Sequence, residues 1–242
     1  MSRLITLTDV KENEAFSALI NRANYNLEKM GYTEHGIRHV GYVSKTTSNI
    51  LKEIGLDERT VELGAITGWI HDIGNSINRL NHGISGSVLA MPILKDMDMD
   101  MNEISLIIAA IGNHEEQNGL PVNEISAALI LADKSDTHRS RVRKENFNMK
   151  DIHDRVNLSI KKNYLAVNKE EKVIRLVIFM DTEMSSIMDY FDIYLSRMLM
   201  CEKAATFLGY SFELVINKTV INNQRARMRV ALSDKDKEVS ED

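Results

Sequence analysis

The stretch DERTVELGAITGWIHDIG, residues 57–74, decides how the chain is read. Asp57 is a good N-cap, and a helix runs from it through Trp69 and Ile70 to His71 and Asp72, with Gly74 near its end. Adjacent helical residues point about 100° apart, so His71 and Asp72 reach one point only where the helix ends or bends. Gly74 supplies that end. A carboxylate such as Asp72 can also bridge two cations, one oxygen to each. A His-Asp pair alone reads as a core histidine beside its own carboxylate, so its meaning depends on what lies around it.

Upstream, a helix is expected from about His35 to Ile54, closed by Gly55. His35 and His39 are four apart on one face of it. That spacing holds metal in the zincin helix motif, and it also occurs in pairs of partly exposed histidines; His39 is the stronger ligand of the two. Downstream, Asn81 or His82 opens a helix through Val88–Leu94. His114 follows the apolar helix Glu103–Gly112 and precedes two acids. Asp133 sits behind the apolar face of a helix expected over Glu124–Arg139, capped by Asn123. A lone buried aspartate is costly, so Asp133 calls for Lys134, an arginine or a metal as partner. Imidazole and carboxylate are ligands that Zn, Mn, Fe or Ni share. Spread over four or five helices, they make sense if the helices bundle and point them at one internal place.

Composition fits that picture. Of 242 residues, 43% are apolar and 27% charged, ordinary for a globular chain, and the net charge of −5 gives no basic field for nucleic acid. The single cysteine, Cys201, excludes an internal disulfide and suits a reducing compartment. No apolar run reaches the roughly 18 residues of a membrane helix, and the N-terminus has none long enough for a signal peptide. A cytoplasmic protein is expected. No phosphate-binding Gly-rich loop occurs, which disfavours kinases and dehydrogenases that depend on one.

The pattern shifts near residue 155. Residues 13–30 and the stretches above have helical period, whereas Val156–Ile160 alternates at period two and Tyr164–Val167 can pair with a neighbour. Val173–Met180 is β-branched and apolar, a strand. A long helix is expected over Glu183–Leu208, then a strand over Phe212–Ile216. The expected fold is therefore mainly α, a helical bundle over residues 1–150 with a small α+β ββαβ portion over 151–232, then a charged disordered tail over 233–242. Met188, Tyr190, Phe191, Tyr194, Met198 and Met200 give the long helix more than one apolar face, fitting a core helix or a homodimer contact.

The order His39, His71-Asp72, His82, His114, Asp133 resembles the HD-domain superfamily of metal-dependent phosphohydrolases, over roughly residues 30–140. His39, His71, Asp72 and Asp133 match its four-ligand set, and His82 and His114 match the extra histidines of two-metal members. His114–Pro121 also resembles the stretch that names the HD-GYP cyclic-dinucleotide phosphodiesterases. The chain departs from those at Leu120, where they carry Tyr, at Asn113-His114, where they carry two histidines, and in its short Asp72–His82 interval. Asn75 stands where many members have Lys, and His35 where some HD-GYP members have a metal-binding glutamate. The portion after residue 150 matches no family.

The resemblance implies hydrolysis of a phosphoester, of a nucleotide or another small phosphorylated molecule, by metal-bound hydroxide. It implies one metal on His39, His71, Asp72 and Asp133, and a second on the bridging Asp72 with His82 and His114. The metals would be drawn from Mn, Fe, Ni, Mg or Zn. Asp72 and Lys134 are the expected catalytic residues, and Asn75, Arg79, Lys134 and Arg139 the expected substrate contacts. The run through Arg139, Arg141 and Arg143 reads equally as a solvated basic face. His138 and His153 are expected at the surface. Dinucleotide cleavage and nucleotide sensing without turnover are the competing functions.

Overall fold

The computed structural model describes residues 4–117, 119–143 and 148–222. Among them nine α-helices precede, join or cover one small sheet: α1 (Leu7–Glu12), α2 (Glu14–Lys29), α3 (Ile37–Ile54), α4 (Glu58–Ile70), α5 (His82–Asp96), α6 (Met101–Gly112), α7 (Glu124–Ser135), α8 (Ile152–Ser159) and α9 (Ile187–Phe207). The strands are β1 (Ile160–Asn168), β2 (Val173–Met180), β3 (Ser211–Ile216) and β4 (Thr219–Val220). The fold is mainly α with a small α+β portion, as the sequence implies. The charged tail over 233–242 lies outside the described residues.

Helix starts follow side-chain capping. Asp57 accepts the Arg59 and Thr60 amides at α4, Asp100 those of Asn102 and Glu103 at α6, and Asn123 that of Ser126 at α7. Gly55 ends α3 in the left-handed region at φ 96°, where a side chain would be strained. Buried apolar side chains form one cluster from Ile5 to Ile216. The first two strands pair antiparallel, β2 and β3 pair parallel, and β4 folds back antiparallel on β3. The parallel pair needs a crossover, which α9 supplies while packing on both α7 and β3. Tyr190, Tyr194, Met198 and Met200 of α9 are buried in the core, while Met188, Leu195, Leu199 and Phe207 of the same helix are exposed.

Two expectations about elements need correction, and one helix has no counterpart among them. Val156–Ile160 is not a strand: α8 occupies it up to Ser159, capped by Asp151, which accepts the His153 amide, and only Ile160 begins β1. Buried Val156 and Ile160 are four apart, so the apparent period of two also fits a helical face. Helix α7 ends at Ser135 rather than Arg139, because Asp136 leaves the helix to meet His39 and Arg38. The short α1 has no counterpart among the expected elements; Thr6 and Asp9 form its capping box.

Candidate metal centre

Five elements end or begin at one point. Helix α3 contributes His39 from its first turn, α5 opens with His82, His114 lies just past α6, and Asp133 is near the end of α7. His71 is the C-cap of α4, and Asp72 follows with φ −96° and ψ 3°, before a 3₁₀ turn at Ile73–Ser76. That break in helical phase lets both neighbours face inward. Gly74 is required by packing: a Cβ there would collide with the His82 carbonyl, so the turn lies directly against the start of α5.

The four ring Nε2 atoms converge while each Nδ1 faces an oxygen. His71 Nδ1 donates to the Gly68 carbonyl (2.9 Å) and His114 Nδ1 to the Ile111 carbonyl (2.6 Å). His82 Nδ1 lies 3.0 Å from the Arg79 carbonyl and 2.8 Å from Glu115 Oε1. His39 Nδ1 lies 2.7 Å from Asp136 Oδ2. Carbonyls and carboxylates only accept, so the proton is fixed on Nδ1 and the Nε2 lone pair is aimed into the cluster.

Asp72 divides between two histidine pairs. Its Oδ2 lies 3.6 Å from His39 Nε2 and 3.7 Å from His71 Nε2, and its Oδ1 lies 3.3 Å from His82 Nε2 and 3.8 Å from His114 Nε2. Asp133 Oδ1 joins the first pair, at 3.4 Å from His39 and 3.9 Å from His71. These donors form three overlapping groups able to hold metal ions: His39, His71 and Asp72; His71, His114 and Asp133; Asp72, His82 and His114.

The residues fit a cation on an independent ground. His39 Nε2, His71 Nε2 and Asp72 Oδ2 are buried without a hydrogen-bond partner. Such atoms cost roughly 1–3 kcal/mol each when left unpaired, so three facing one another need a common partner. Burial pushes the His71 imidazole down to about 4, which keeps it neutral and ready to ligate. Burial opposes ionisation of Asp72, but His71, His114 and His82 hold its carboxyl well below the usual range. Burial likewise opposes a charged His82, yet hydrogen bonds to Asp72 and Glu115 carry it up to about 9.

Beside the cluster, with His82 in its wall, lies a cleft of about 600 Å³, whose lining also includes Arg79, Glu116, Lys134, Arg141, His153 and Arg197. Lys134 is buried and bonded to Asp133 Oδ2 (2.7 Å). Asn75 does not face the cleft; its amide donates to Asp72 Oδ1 (2.9 Å) and so orients that carboxylate. The Arg79 guanidinium makes long contacts of 3.4 Å to Asn75 and His82, lies over the Tyr32 ring at 5.6 Å, and has no carboxylate partner among the described residues. Arg139 is exposed, donates to the Leu158 carbonyl (2.9 Å) and does not line the cleft.

Several neighbours were not singled out in the sequence. Asp136, three residues beyond Asp133, supports His39 and also binds Arg38 (2.7 Å). Arg141, read as part of a basic run, is buried and donates to His35 Nε2 (2.7 Å); His35 thereby faces an arginine and stands outside the ligand groups. Glu115 and Glu116 were noticed only as acids after His114. Arg197 carried no local signal, since its role depends on α9 packing beside α7. His138 caps the Arg139–Arg141 turn, and His153 is exposed at the cleft.

Fold and site together define a class: a helical bundle with buried His/Asp clusters able to hold metal ions, compatible with an HD-like site. No protein-family model and no curated protein matches the chain.

Proposed function

We propose that the chain is a metal-dependent phosphohydrolase of the HD type, acting on a nucleotide or another small phosphorylated molecule. The observation that carries this reading is the division of Asp72 between two histidine pairs, with all four Nε2 atoms turned inward. His39, His71, Asp72 and Asp133 would hold one divalent transition metal, and Asp72, His82 and His114 a second. Cations bound there would supply Lewis acidity and a water deprotonated near neutral pH.

The chain's own groups account for the rest. The Nδ1 partners lock each imidazole, and Asn75 fixes Asp72, so the site is organised before ligand arrives. Lys134 places a buried ammonium beside Asp133, where it balances charge on phosphoryl oxygens. Arg79, uncommitted to a carboxylate among the described residues, is the arm available to a ligand phosphate at the mouth of the cleft.

The test is metal content by elemental analysis, on protein purified without chelator and after anaerobic Mn or Fe loading, followed by turnover of monoester and diester phosphates. Two metals per chain with turnover lost in Asp72→Ala supports the hydrolase. Loaded protein that binds nucleotides yet turns over none moves the function to sensing. No metal after loading overturns the reading. The monoester-to-diester ratio separates a phosphomonoesterase from a dinucleotide phosphodiesterase.

A further inference from the structure

Glu116 Oε1 is met by two cations from distant parts of the chain. Lys134 Nζ, near the end of α7, lies 3.2 Å away, and Arg197 Nε, on α9, lies 2.9 Å away. All three residues line the cleft beside the metal cluster. The oxygen is buried and, beyond these two ion pairs, has no hydrogen-bond partner. Charge holds it rather than directed bonds, so a better-shaped acceptor can take its place.

Both cations are also held independently of Glu116. The Arg197 guanidinium lies over the Tyr194 ring, 4.9 Å from its centroid, and the Tyr194 hydroxyl donates to Asn157 Oδ1 (2.9 Å). Lys134 is fixed from the other side by Asp133. Because Asp133 Oδ1 faces His39 and His71 while Oδ2 faces Lys134, the two cations stand next to the metal cluster, on the wall that α9 builds.

The geometry points to a second anion subsite made by Lys134 and Arg197, in which the Glu116 carboxylate stands in for a phosphate of the ligand. A guanidinium suits that group, since its N–H pairs match phosphate oxygens. The assignment rests on the phosphoester reading and narrows it: with one phosphoryl group at the metal cluster and another between Lys134 and Arg197, the substrate carries more than one phosphate. It also gives the C-terminal portion a task, which is to select ligands through Arg197 while the helical bundle holds the metals.

Inorganic phosphate titrated into chelated, metal-free protein, followed by calorimetry, isolates this subsite from the metals. Replacing Glu116 by Gln removes the competing charge, so E116Q binds phosphate about tenfold more tightly than wild type, and R197Q about tenfold more weakly. With metal restored, R197Q raises KM for a substrate bearing two phosphates more than for a simple monoester, and changes kcat less. If both variants melt as wild type and bind phosphate as wild type, the subsite is wrong. If E116Q does not fold, unchanged phosphate affinity in R197Q alone overturns it. If both variants shift phosphate affinity as stated while loaded protein hydrolyses no phosphoester, the subsite stands and the hydrolase reading falls.

Discussion

The Nε2 atoms of His82 and His114 lie 3.1 Å apart, while the Nδ1 of each ring faces an oxygen. With both Nδ1 atoms protonated, two lone pairs point at each other unless a positive charge lies between them. Without metal, a second proton on His82 can fill that place, since burial lowers its pKa but hydrogen bonds to Asp72 and Glu115 carry it up to about 9. A divalent cation answers the same need for both rings and for Asp72 at once.

Metal stoichiometry therefore responds to ligand removal in a definite order. His82→Ala or His114→Ala leaves one metal per chain, because His39, His71, Asp72 and Asp133 remain. Asp72→Ala leaves none, since both histidine pairs share that carboxylate. Elemental analysis of the loaded variants reads this directly. Equal loss in His82→Ala and Asp72→Ala would mean a single shared site.

Asp136 is the support for His39, with Oδ2 2.7 Å from its Nδ1. Asp136→Asn keeps the shape and removes the charge that orients and enriches the imidazole. Metal affinity should drop about 10–100-fold, the usual cost of losing such a support. Calorimetric titration with Mn checks it, alongside circular dichroism to show that the fold persists. Unchanged affinity would assign Asp136 to Arg38 and Arg141 alone.

The helical ligand elements were legible because their signals are local. Asp57, Asn123 and Gly55 mark helix ends, and the apolar period gives the buried face. The six candidate ligands stood out because histidine and aspartate behind apolar stretches call for a polar partner or a metal. What supports them was less visible. Asp136 and Arg141 look in sequence like ordinary polar residues after a helix, and only the chain's departure from α7 at Ser135 turns them inward. Asn75 is expected as a substrate contact because it stands where the resembled family carries Lys, whereas the 3₁₀ turn brings its amide back onto Asp72. Arg139 and Arg141, two residues apart, part company in the short turn they share: one faces solvent and the other the core.

Helices α3 and α4 carry His39 and His71, whose ring centroids are 5.3 Å apart, and their spacing rests on Gly68. A Cβ at Gly68 would fall 2.7 Å from Ser44 Cα and 2.8 Å from its amide nitrogen, both backbone atoms. Gly68→Ala must therefore push the helices apart. It should cost about 1–3 kcal/mol, as overpacking does, and lower Tm by about 3 °C for each kcal/mol. Thermal melting of metal-free protein measures the packing cost without the ligands. A variant as stable as wild type would show that the crossing has slack.

Cys201 offers a probe of the interface between α9 and the bundle. It is fully buried, and burial pushes its thiol from an ordinary 9.0 up to about 12, with Lys134 and Arg197 acting against the shift and Asp133 and Glu116 with it. The thiolate is the reactive form, so a maleimide at pH 8 should leave native protein unlabelled and take one label per chain in denaturant. The sign for stability follows. Below pH 9 both folded and unfolded chains keep the proton and the thiol is neutral to folding. Between 9 and about 12 the unfolded chain loses its proton while the folded one keeps it, so unfolding becomes easier as pH rises. Urea midpoints measured from pH 8 to 11 should fall more steeply for wild type than for Cys201→Ala. Parallel curves, or fast labelling of native protein, would place the thiol in contact with solvent and α9 off the bundle.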